Sequence, residues 1–387
     1  MRIIYVTTAI DANDYKSFVS LWNKKPNPSN QNFHNKLIRC LAINNDVDVV
    51  SIRPFSRKLV SVKSLQKEEK TTGNIKWHYL QIKGNKVLRF FRIKSDCLKV
   101  FKKDDIKNAI IITDTINPNC LSASVRMAKV YKLPLIGVCS DSPSNITGTN
   151  RSYTMYLLSK ASKCDGYISL TNELNNLYNE EAKPCVIVEG IVENKAGSET
   201  VPHVEDKPYF FFGGSLLQRY GVNELISGFK NLKRDDVKLI LAGHSGNNQT
   251  ILSNIQGNSN ISFVGTLDIS DVLSYEAGAI ANINPRPFSE DLDRFSIPSK
   301  TIEYLTSGAI TISVRNSKLK TYFEDEIYWI NDASDDALST AMSNVLSMDE
   351  SKRKEIGLRA KEKVLSLFSM DQINQKLVHF LTIFAKK

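Results

Sequence analysis

Short apolar runs alternate with amphipathic stretches of helix length almost from end to end, the pattern of parallel α/β layers. In the first half, apolar runs predict strands at Arg2–Thr7, Val47–Ile52, Ala109–Thr113, Leu135–Val138, Gly166–Leu170 and Cys185–Val188. Helical periodicity marks Gln31–Ile43, Leu121–Val130, Tyr153–Ala161 and Asn172–Tyr178. The stretch Glu193–Asp206 is polar and aperiodic and contains Gly and Pro, as an interdomain linker would. The pattern then restarts, with strands at Tyr209–Phe212, Lys238–Ala242, Ile261–Val264, Ala279–Ile283 and Ile310–Ser313 and helices at Val222–Phe229 and Lys300–Ser307. From Ser351 to Phe384 two helices are expected, broken near Ser369. The fold class this predicts is α/β: two Rossmann-like, doubly wound domains facing a cleft, with ligands at the carboxyl ends of the strands. The domains would cover 1–192 and 207–368, joined by a linker at 193–206, with a helix at 369–387 packing back toward the first domain.

A chain of 387 residues is long enough for two such cores, and 42% hydrophobic with 24% charged residues is globular composition that excludes a disordered protein. Apolar runs stop short of the roughly 18–20 residues that span a bilayer, and the start Met1-Arg2-Ile3-Ile4-Tyr5-Val6 resembles a strand, not a signal peptide. The expected location is therefore cytoplasmic. Cys40, Cys97, Cys120, Cys139, Cys164 and Cys185 are scattered singly, which fits neither a zinc site nor a disulfide framework and predicts reduced, mostly buried thiols. The net charge of +10 is uneven. Residues 1–200 hold 30 Lys/Arg against 18 Asp/Glu, whereas the remainder hold 21 against 23. Arg53–Lys103 alone carries fifteen cations and three acids. A basic half attracts phosphates, in nucleic acid or in anionic lipid.

The first strand is not followed by a G-x-G-x-x-G turn, and there is no G-x-x-x-x-G-K-[ST], so neither a nicotinamide dehydrogenase nor a P-loop NTPase is indicated. Three loops of the second half carry candidate chemistry. Phe212-Gly213-Gly214-Ser215, continuing through Arg219 to Gly221, brings a Gly pair from a strand into a loop where backbone N–H groups can approach a phosphate and Arg219 can add a charge. Leu241-Ala242-Gly243-His244-Ser245-Gly246 is a second Gly-rich strand end. The third joins Ile283-Asn284-Pro285-Arg286 to Phe295-Ser296-Ile297-Pro298-Ser299-Lys300-Thr301-Ile302-Glu303-Tyr304. There Arg286, Lys300 and a helix start suit a diphosphate, and Glu303 can accept two hydrogen bonds from a ribose diol. Each feature also has a plain structural explanation, as a βα turn, a surface charge or a helix-dipole partner.

This third region, extended through Leu305-Thr306-Ser307-Gly308, resembles the donor-site signature of bacterial polysaccharide glycosyltransferases of the GT-B fold, most closely glycosyltransferase family 4. Gly214 and Gly221 stand at the family's loop spacing, and Asn260–Gly265 precedes the turn that would bind the base. The resemblance is weaker in the first half, at Ser140-Asp141-Ser142-Pro143 and Ile187–Ile191. It implies an enzyme that moves a sugar from a nucleotide diphosphate sugar, a UDP-sugar in preference to a GDP-sugar, with retention of configuration and with neither metal nor cofactor. By that resemblance Arg286 and Lys300 would stabilise the leaving diphosphate; Asp141, at a strand end facing the expected cleft, is a candidate for binding the acceptor hydroxyl. Gly214, Ser215, Arg219, His244, Ser299 and Thr301 would line the donor site, Thr266 and Leu267 would flank the base, and Glu303 would hold the ribose. Three features depart from the family. Phe295 replaces the first carboxylate of E-x7-E, which Glu290, Asp291 or Asp293 could supply instead. Ser215 and Tyr220 replace the usual basic pair, and the first strand lacks its Gly-rich turn.

The segment Val87–Lys103 spaces apolar residues helically with cations between them, and Arg89, Phe90, Phe91, Arg92 and Lys94 form a candidate membrane or acceptor face. An ordinary core-facing helix with a solvated basic side would show the same spacing. The expected partners are the sugar nucleotide, an undecaprenyl-diphosphate-linked glycan acceptor and the anionic inner face of the plasma membrane, in capsule, exopolysaccharide or O-antigen synthesis. Nucleic acid is not expected, since the cations lack the interleaved stacking aromatics. A nucleotide-sugar 2-epimerase of the same architecture and a catalytically inactive binding partner are the competing readings.

Overall fold

The computed structural model describes residues 1–22, 29–56, 60–145, 150–193, 200–244 and 248–385. They form two compact units. The first comprises 1–193, 294–296 and 370–387, and the second 194–293 and 297–369.

The first unit opens with β1 (Arg2–Thr7), α1 (Ala12–Val19), α2 (Ser29–Leu41) and β2 (Asp46–Ser51). A hairpin, β3 (Glu68–Thr72) and β4 (Ile75–Tyr79), is followed by α3 (Lys86–Leu98), β5 (Ile110–Asp114), α4 (Pro118–Tyr131) and β6 (Leu135–Cys139). Then come α5 (Arg151–Ala161), β7 (Gly166–Ser169), α6 (Asn172–Tyr178) and β8 (Cys185–Ile187). The sheet order is β3-β4-β2-β1-β5-β6-β7-β8, parallel throughout except for the β3–β4 pair. β5 and β6 are buried at every residue, as strands covered by helices on both faces must be, and this is why their sequences are unbroken apolar runs. Helix starts follow their caps. Asn117 accepts from the amides of Asn119 and Cys120 ahead of Pro118 in α4, and Thr171 accepts from Leu174 in α6.

The second unit contains β9 (Tyr209–Ser215), α7 (Val222–Asn231), β10 (Lys238–His244), α8 (Asn248–Ile255), β11 (Ile261–Phe263) and α9 (Ile269–Gly278). It continues with β12 (Ala281–Asn284), α10 (Glu290–Phe295), α11 (Ser299–Leu305), β13 (Ile310–Val314), α12 (Ser317–Tyr322) and β14 (Ile327–Ile330). Two further helices, α13 (Asp335–Leu346) and α14 (Glu350–Phe368), close the unit; Arg294 and Phe295, the last two residues of α10, group with the first unit. All six strands are parallel, in the order β11-β10-β9-β12-β13-β14. The order reverses between β9 and β12, and that switch point is where an open parallel sheet binds ligands.

The chain leaves α14 through extended Ser369 and returns to the first unit as α15 (Met370–Ala385). There the Met370 amide donates to the Val192 carbonyl, and Asn374 Nδ2 donates to the Cys40 carbonyl at 2.7 Å.

The expected α/β class with two doubly wound sheets is what the chain forms. Apolar patterning does not mark β3, whose Glu68-Glu69-Lys70-Thr71-Thr72 is an almost wholly polar edge strand, nor the short helices α1, α10 and α12. Of the expected linker, 194–199 lies outside the described residues, and 200–206 packs on α9. The His203 ring lies 3.8 Å from that of Tyr275, and Ser274 Oγ donates to the Val201 carbonyl. Five cysteines are buried as expected, and burial pushes the Cys40 and Cys139 thiols up to about 12, but Cys185 is exposed.

Candidate functional site

At the switch point of the second sheet, β9 delivers Gly213, Gly214 and Ser215, and β12 delivers Asn284, Pro285 and Arg286. Backbone contacts lace the neighbouring strand ends together. The Gly243 amide donates to the Gly265 carbonyl at 2.7 Å, the Leu216 amide donates to the His244 carbonyl at 2.9 Å, and Thr266 Oγ1 donates to the Gly243 carbonyl at 3.3 Å. Two glycines allow this closeness. Gly221 has a φ of 78°, and a Cβ there would overlap the Pro285 carbonyl oxygen; Gly243 has a φ of 136°, and a Cβ there would overlap the Gly214 carbonyl oxygen.

Two groups of side chains stand on this frame: Arg219, Tyr220 and Arg286 in one, Lys300, Glu303 and Glu276 in the other. The Tyr220 ring receives Arg219 at 5.0 Å and Arg286 at 5.7 Å, so the Gly loop and the end of β12 each present a guanidinium to one aromatic ring. Tyr220, which the sequence marks only as a departure from the family, thereby becomes the element that groups the two cations. Lys300, in the first turn of α11, lies 3.0 Å from Glu303 and 3.9 Å from Glu276. A Cβ on Gly214 would lie 3.9 Å from Lys300 Cε, so the ammonium stem runs beside the Gly pair. Burial works against the Lys300 charge, but Glu303 and then Glu276 outweigh it and hold its pKa above the ordinary value. The buried Tyr304 hydroxyl exchanges hydrogen bonds with the Gly213 amide (3.0 Å) and carbonyl (3.2 Å), tying α11 to β9.

The remaining expected donor residues divide. Ser215, His244, Thr266 and Ser299 are exposed at the strand ends and the start of α11. Leu267 is half-buried and packs against the cluster of Tyr209, Phe211, Ile240, Ala242 and Ala279. Ser245 and Gly246 of the second Gly-rich loop lie outside the described residues. Thr301 is a correction. It is fully buried, and its hydroxyl accepts from Asn284 Nδ2 at 2.8 Å and meets Ser313 Oγ at 3.0 Å, so it fastens α11 to β12 and β13 and its side chain is closed to a ligand. Among the acids that could replace the first carboxylate of E-x7-E, Asp293 accepts from the Ser317 amide (2.7 Å) and hydroxyl (2.6 Å) and so anchors α12, whereas Glu290 and Asp291 are exposed.

In the first unit, Asp141 follows β6 at its carboxyl end. Its Oδ1 accepts from the Ser142 amide at 2.7 Å and from Asn145 Nδ2 at 3.0 Å, and its carbonyl accepts from the Tyr178 hydroxyl at 3.0 Å. A second acid that sequence reasoning missed, Asp114, ends β5 and is buried 3.6 Å from His34 Nε2. His34 Nδ1 lies 2.7 Å from the Tyr5 hydroxyl, and burial holds the imidazole pKa below its ordinary value despite Asp114. On α3, Ile93 and Cys97 face the core while Val87, Leu88 and Phe91 are 67%, 65% and 64% exposed. Lys94 Nζ caps the Phe90 ring at 3.9 Å, Arg89 lies over Phe55, and Arg92 pairs with Asp96 at 3.2 Å. Partial burial, then repulsion from Lys160 and Arg126, lowers the Lys94 pKa, so cations of α3, α4 and α5 crowd one face.

Residues 195–363 match the family model "Glycosyl transferases group 1". A search of curated proteins found no match. Among solved structures, the sucrose-phosphate synthase of Thermosynechococcus elongatus superposes with a TM-score of 0.70 at 14% identity, covering 100% of both chains. A trehalose-6-phosphate synthase gives a TM-score of 0.70 at 11% identity over 100% of this chain and 99% of its own. An E. coli structure described as trehalose-6-phosphate bound with UDP-2-fluoro glucose gives 0.69 at 10% identity, with 100% and 99% coverage. The chain thus has the two-unit α/β architecture of these proteins, the GT-B fold, and its residues 195–363 are similar to the group 1 glycosyltransferase family.

Proposed function

We propose that this chain transfers a sugar from a nucleotide diphosphate sugar, a UDP-sugar, to an acceptor with retention of configuration, as a relative of glycosyltransferase family 4. The observation that carries this reading is the grouping of Gly214, Lys300 and Glu303 at the switch point, with Arg286 at the end of the adjoining β12, in a segment that matches the group 1 family model. The UDP named with one structural neighbour supports the choice of nucleotide.

As the bond between the sugar C1 and the diphosphate oxygen breaks, positive charge develops on the sugar and negative charge on the leaving group. Lys300 and Arg286 stabilise the latter, and preorganised charges of this kind generally contribute more to catalysis than any other single effect. Glu303 releases Lys300 to the diphosphate and accepts the ribose hydroxyls. The leaving phosphate oxygen takes the proton of the attacking acceptor hydroxyl on the same face, which Asp141 helps to hold. UDP is expected to raise the melting temperature of the protein by mass action, and transfer is expected to persist in excess EDTA. A strict requirement for added Mn²⁺ in the transfer assay, or no thermal shift at millimolar UDP, would overturn the donor reading. Donor incubated alone should yield no new nucleotide sugar; an epimer appearing there would mark an epimerase.

For the acceptor, α3 supports a lipid-linked diphosphate glycan presented at an anionic membrane. Val87, Leu88 and Phe91 offer apolar contact, and Arg89, Arg92 and Lys94 each add about 1 kcal/mol near an anionic surface. No helix among the described residues is long and apolar enough to cross a membrane, so attachment would be peripheral, at the cytoplasmic face. The protein is expected to float with anionic vesicles, and Phe91→Asp with Lys94→Glu is expected to abolish flotation. Equal recovery with neutral and anionic vesicles would remove the electrostatic docking. It would favour a soluble sugar-phosphate acceptor, the reading to which the names of the sucrose-phosphate and trehalose-6-phosphate synthase neighbours point.

A further inference from the structure

Glu276 sits in the last turn of α9, where a carboxylate faces the negative end of the helix dipole, and it is fully buried. Both placements oppose an ionised acid. Its backbone is fixed as well, because Asn282 Nδ2 donates to the Glu276 carbonyl and to Ser307 Oγ, each at 3.0 Å. A cation helps to offset the cost, since Lys300 Nζ approaches Oε1 to 3.9 Å.

Lys300 therefore has two acidic neighbours of different character. Glu303 is one-third exposed and close, at 3.0 Å, whereas Glu276 is buried and cannot swing out to solvent. If Glu303 alone held the ammonium, turning that carboxylate toward a ribose would free the cation at the moment a diphosphate needs it. We propose that Glu276 is a positioning residue that tethers Lys300 beside Gly214, so that Glu303 can exchange its ion pair for ribose hydroxyls while the cation stays in place for the diphosphate. This deepens the donor reading given above and rests on it.

The charged and titratable groups around Lys300 are Glu303 and Tyr304 on α11 and Glu276 on α9, with the Tyr304 ring 5.8 Å from Nζ. Burial and then Glu276 raise the Tyr304 pKa, so that hydroxyl stays neutral and Lys300 is the group that titrates. Replacing Glu276 by the isosteric Gln removes one of the two acids that raise the Lys300 pKa. Lys300 should then lose its proton at lower pH.

The test pairs two measurements on wild type, Glu276→Gln and Glu276→Asp. Calorimetric titration compares UDP with uridine between pH 6 and about 10, below the raised wild-type Lys300 value, so wild type is expected to keep its preference for UDP over uridine across the range. The rate of Lys300 modification by an amine-selective reagent, followed by mass spectrometry, reads its protonation without any ligand. Glu276→Gln is expected to weaken UDP binding about tenfold, the loss of one charge-assisted contact, with uridine affinity unchanged. It is also expected to introduce, within that range, an alkaline loss of UDP affinity that uridine does not share, and to speed Lys300 modification, and Glu276→Asp should restore part of each. Unchanged modification rates and an unchanged UDP profile would overturn the tether. Faster modification of Lys300 in a protein that binds no UDP even as wild type would support the tether and overturn the donor reading instead.

Discussion

Lys300→Ala is expected to lower kcat for sugar transfer by about 10²–10³-fold, the range seen when one preorganised stabiliser of developing charge is removed. The residue combines what such a role needs. Its ammonium is held by Glu303 at 3.0 Å and Glu276 at 3.9 Å, its pKa lies above the ordinary value, and its stem passes the Gly pair at the switch point. A cation fixed in this way costs no reorganisation when the diphosphate leaves. Lys300→Arg is expected to recover little, because a planar guanidinium needs more width beside Gly214 than a point charge does. Because Lys300→Ala also removes the ammonium beside buried Glu276, its melting temperature and UDP affinity are measured alongside turnover. Partial restoration of turnover by added ethylammonium would separate lost charge from lost fold. A folded Lys300→Ala protein with turnover within threefold of wild type would remove the residue from the reaction.

How far this site was legible in the sequence depends on which residues announce their surroundings. β5, β6, β9 and β13 are largely apolar runs because helices cover both faces of each sheet, and that burial shows directly in residue type. β3 is a polar edge strand recognisable only by its hydrogen bonds to β4, so hydrophobic periodicity passes over it. Arg286, Lys300 and Glu303 stood out because they coincide at a strand end and a helix start, where each alone has an ordinary structural use but the set does not. Thr301 misled, because it follows Lys300 in sequence but lies more than a quarter of a turn around α11, on the face that meets Asn284 and Ser313. Glu276 could not have been found from its own sequence. Along Ile269–Gly278 it resembles Asp271, and only tertiary packing buries one of the two and brings Lys300 to it. Asp114 and His34 are hidden for the same reason, separated by 80 positions and joined by the fold.

Gly243→Ala is expected to be the most damaging small substitution in the second unit, costing about 3 kcal/mol or more of stability and abolishing the UDP-induced thermal shift. Two effects add. A φ of 136° lies in a region that an L-residue with a Cβ rarely adopts, and the new methyl group would overlap the Gly214 carbonyl oxygen, a backbone atom that cannot rotate away. Any relief must push β9 from β10 where they pair at Gly214 and Gly243, and that motion carries Gly214 away from Lys300 and strains the Gly243–Gly265 and Leu216–His244 hydrogen bonds. Gly257 provides the control. Its φ of 78° is also positive, but nothing lies within 4 Å of where its Cβ would be, so Gly257→Ala should cost only the conformational penalty of about 1–2 kcal/mol. Urea denaturation of the two variants sets the loss at Gly243, where close approach adds to backbone strain, against the loss at a positive-φ glycine in open space. Equal losses would mean that the strand ends are free to separate, and the site would then lack the rigidity that preorganised charge stabilisation requires. A larger loss in Gly243→Ala, accompanied by loss of UDP binding, would tie the packing of two strand ends directly to nucleotide recognition.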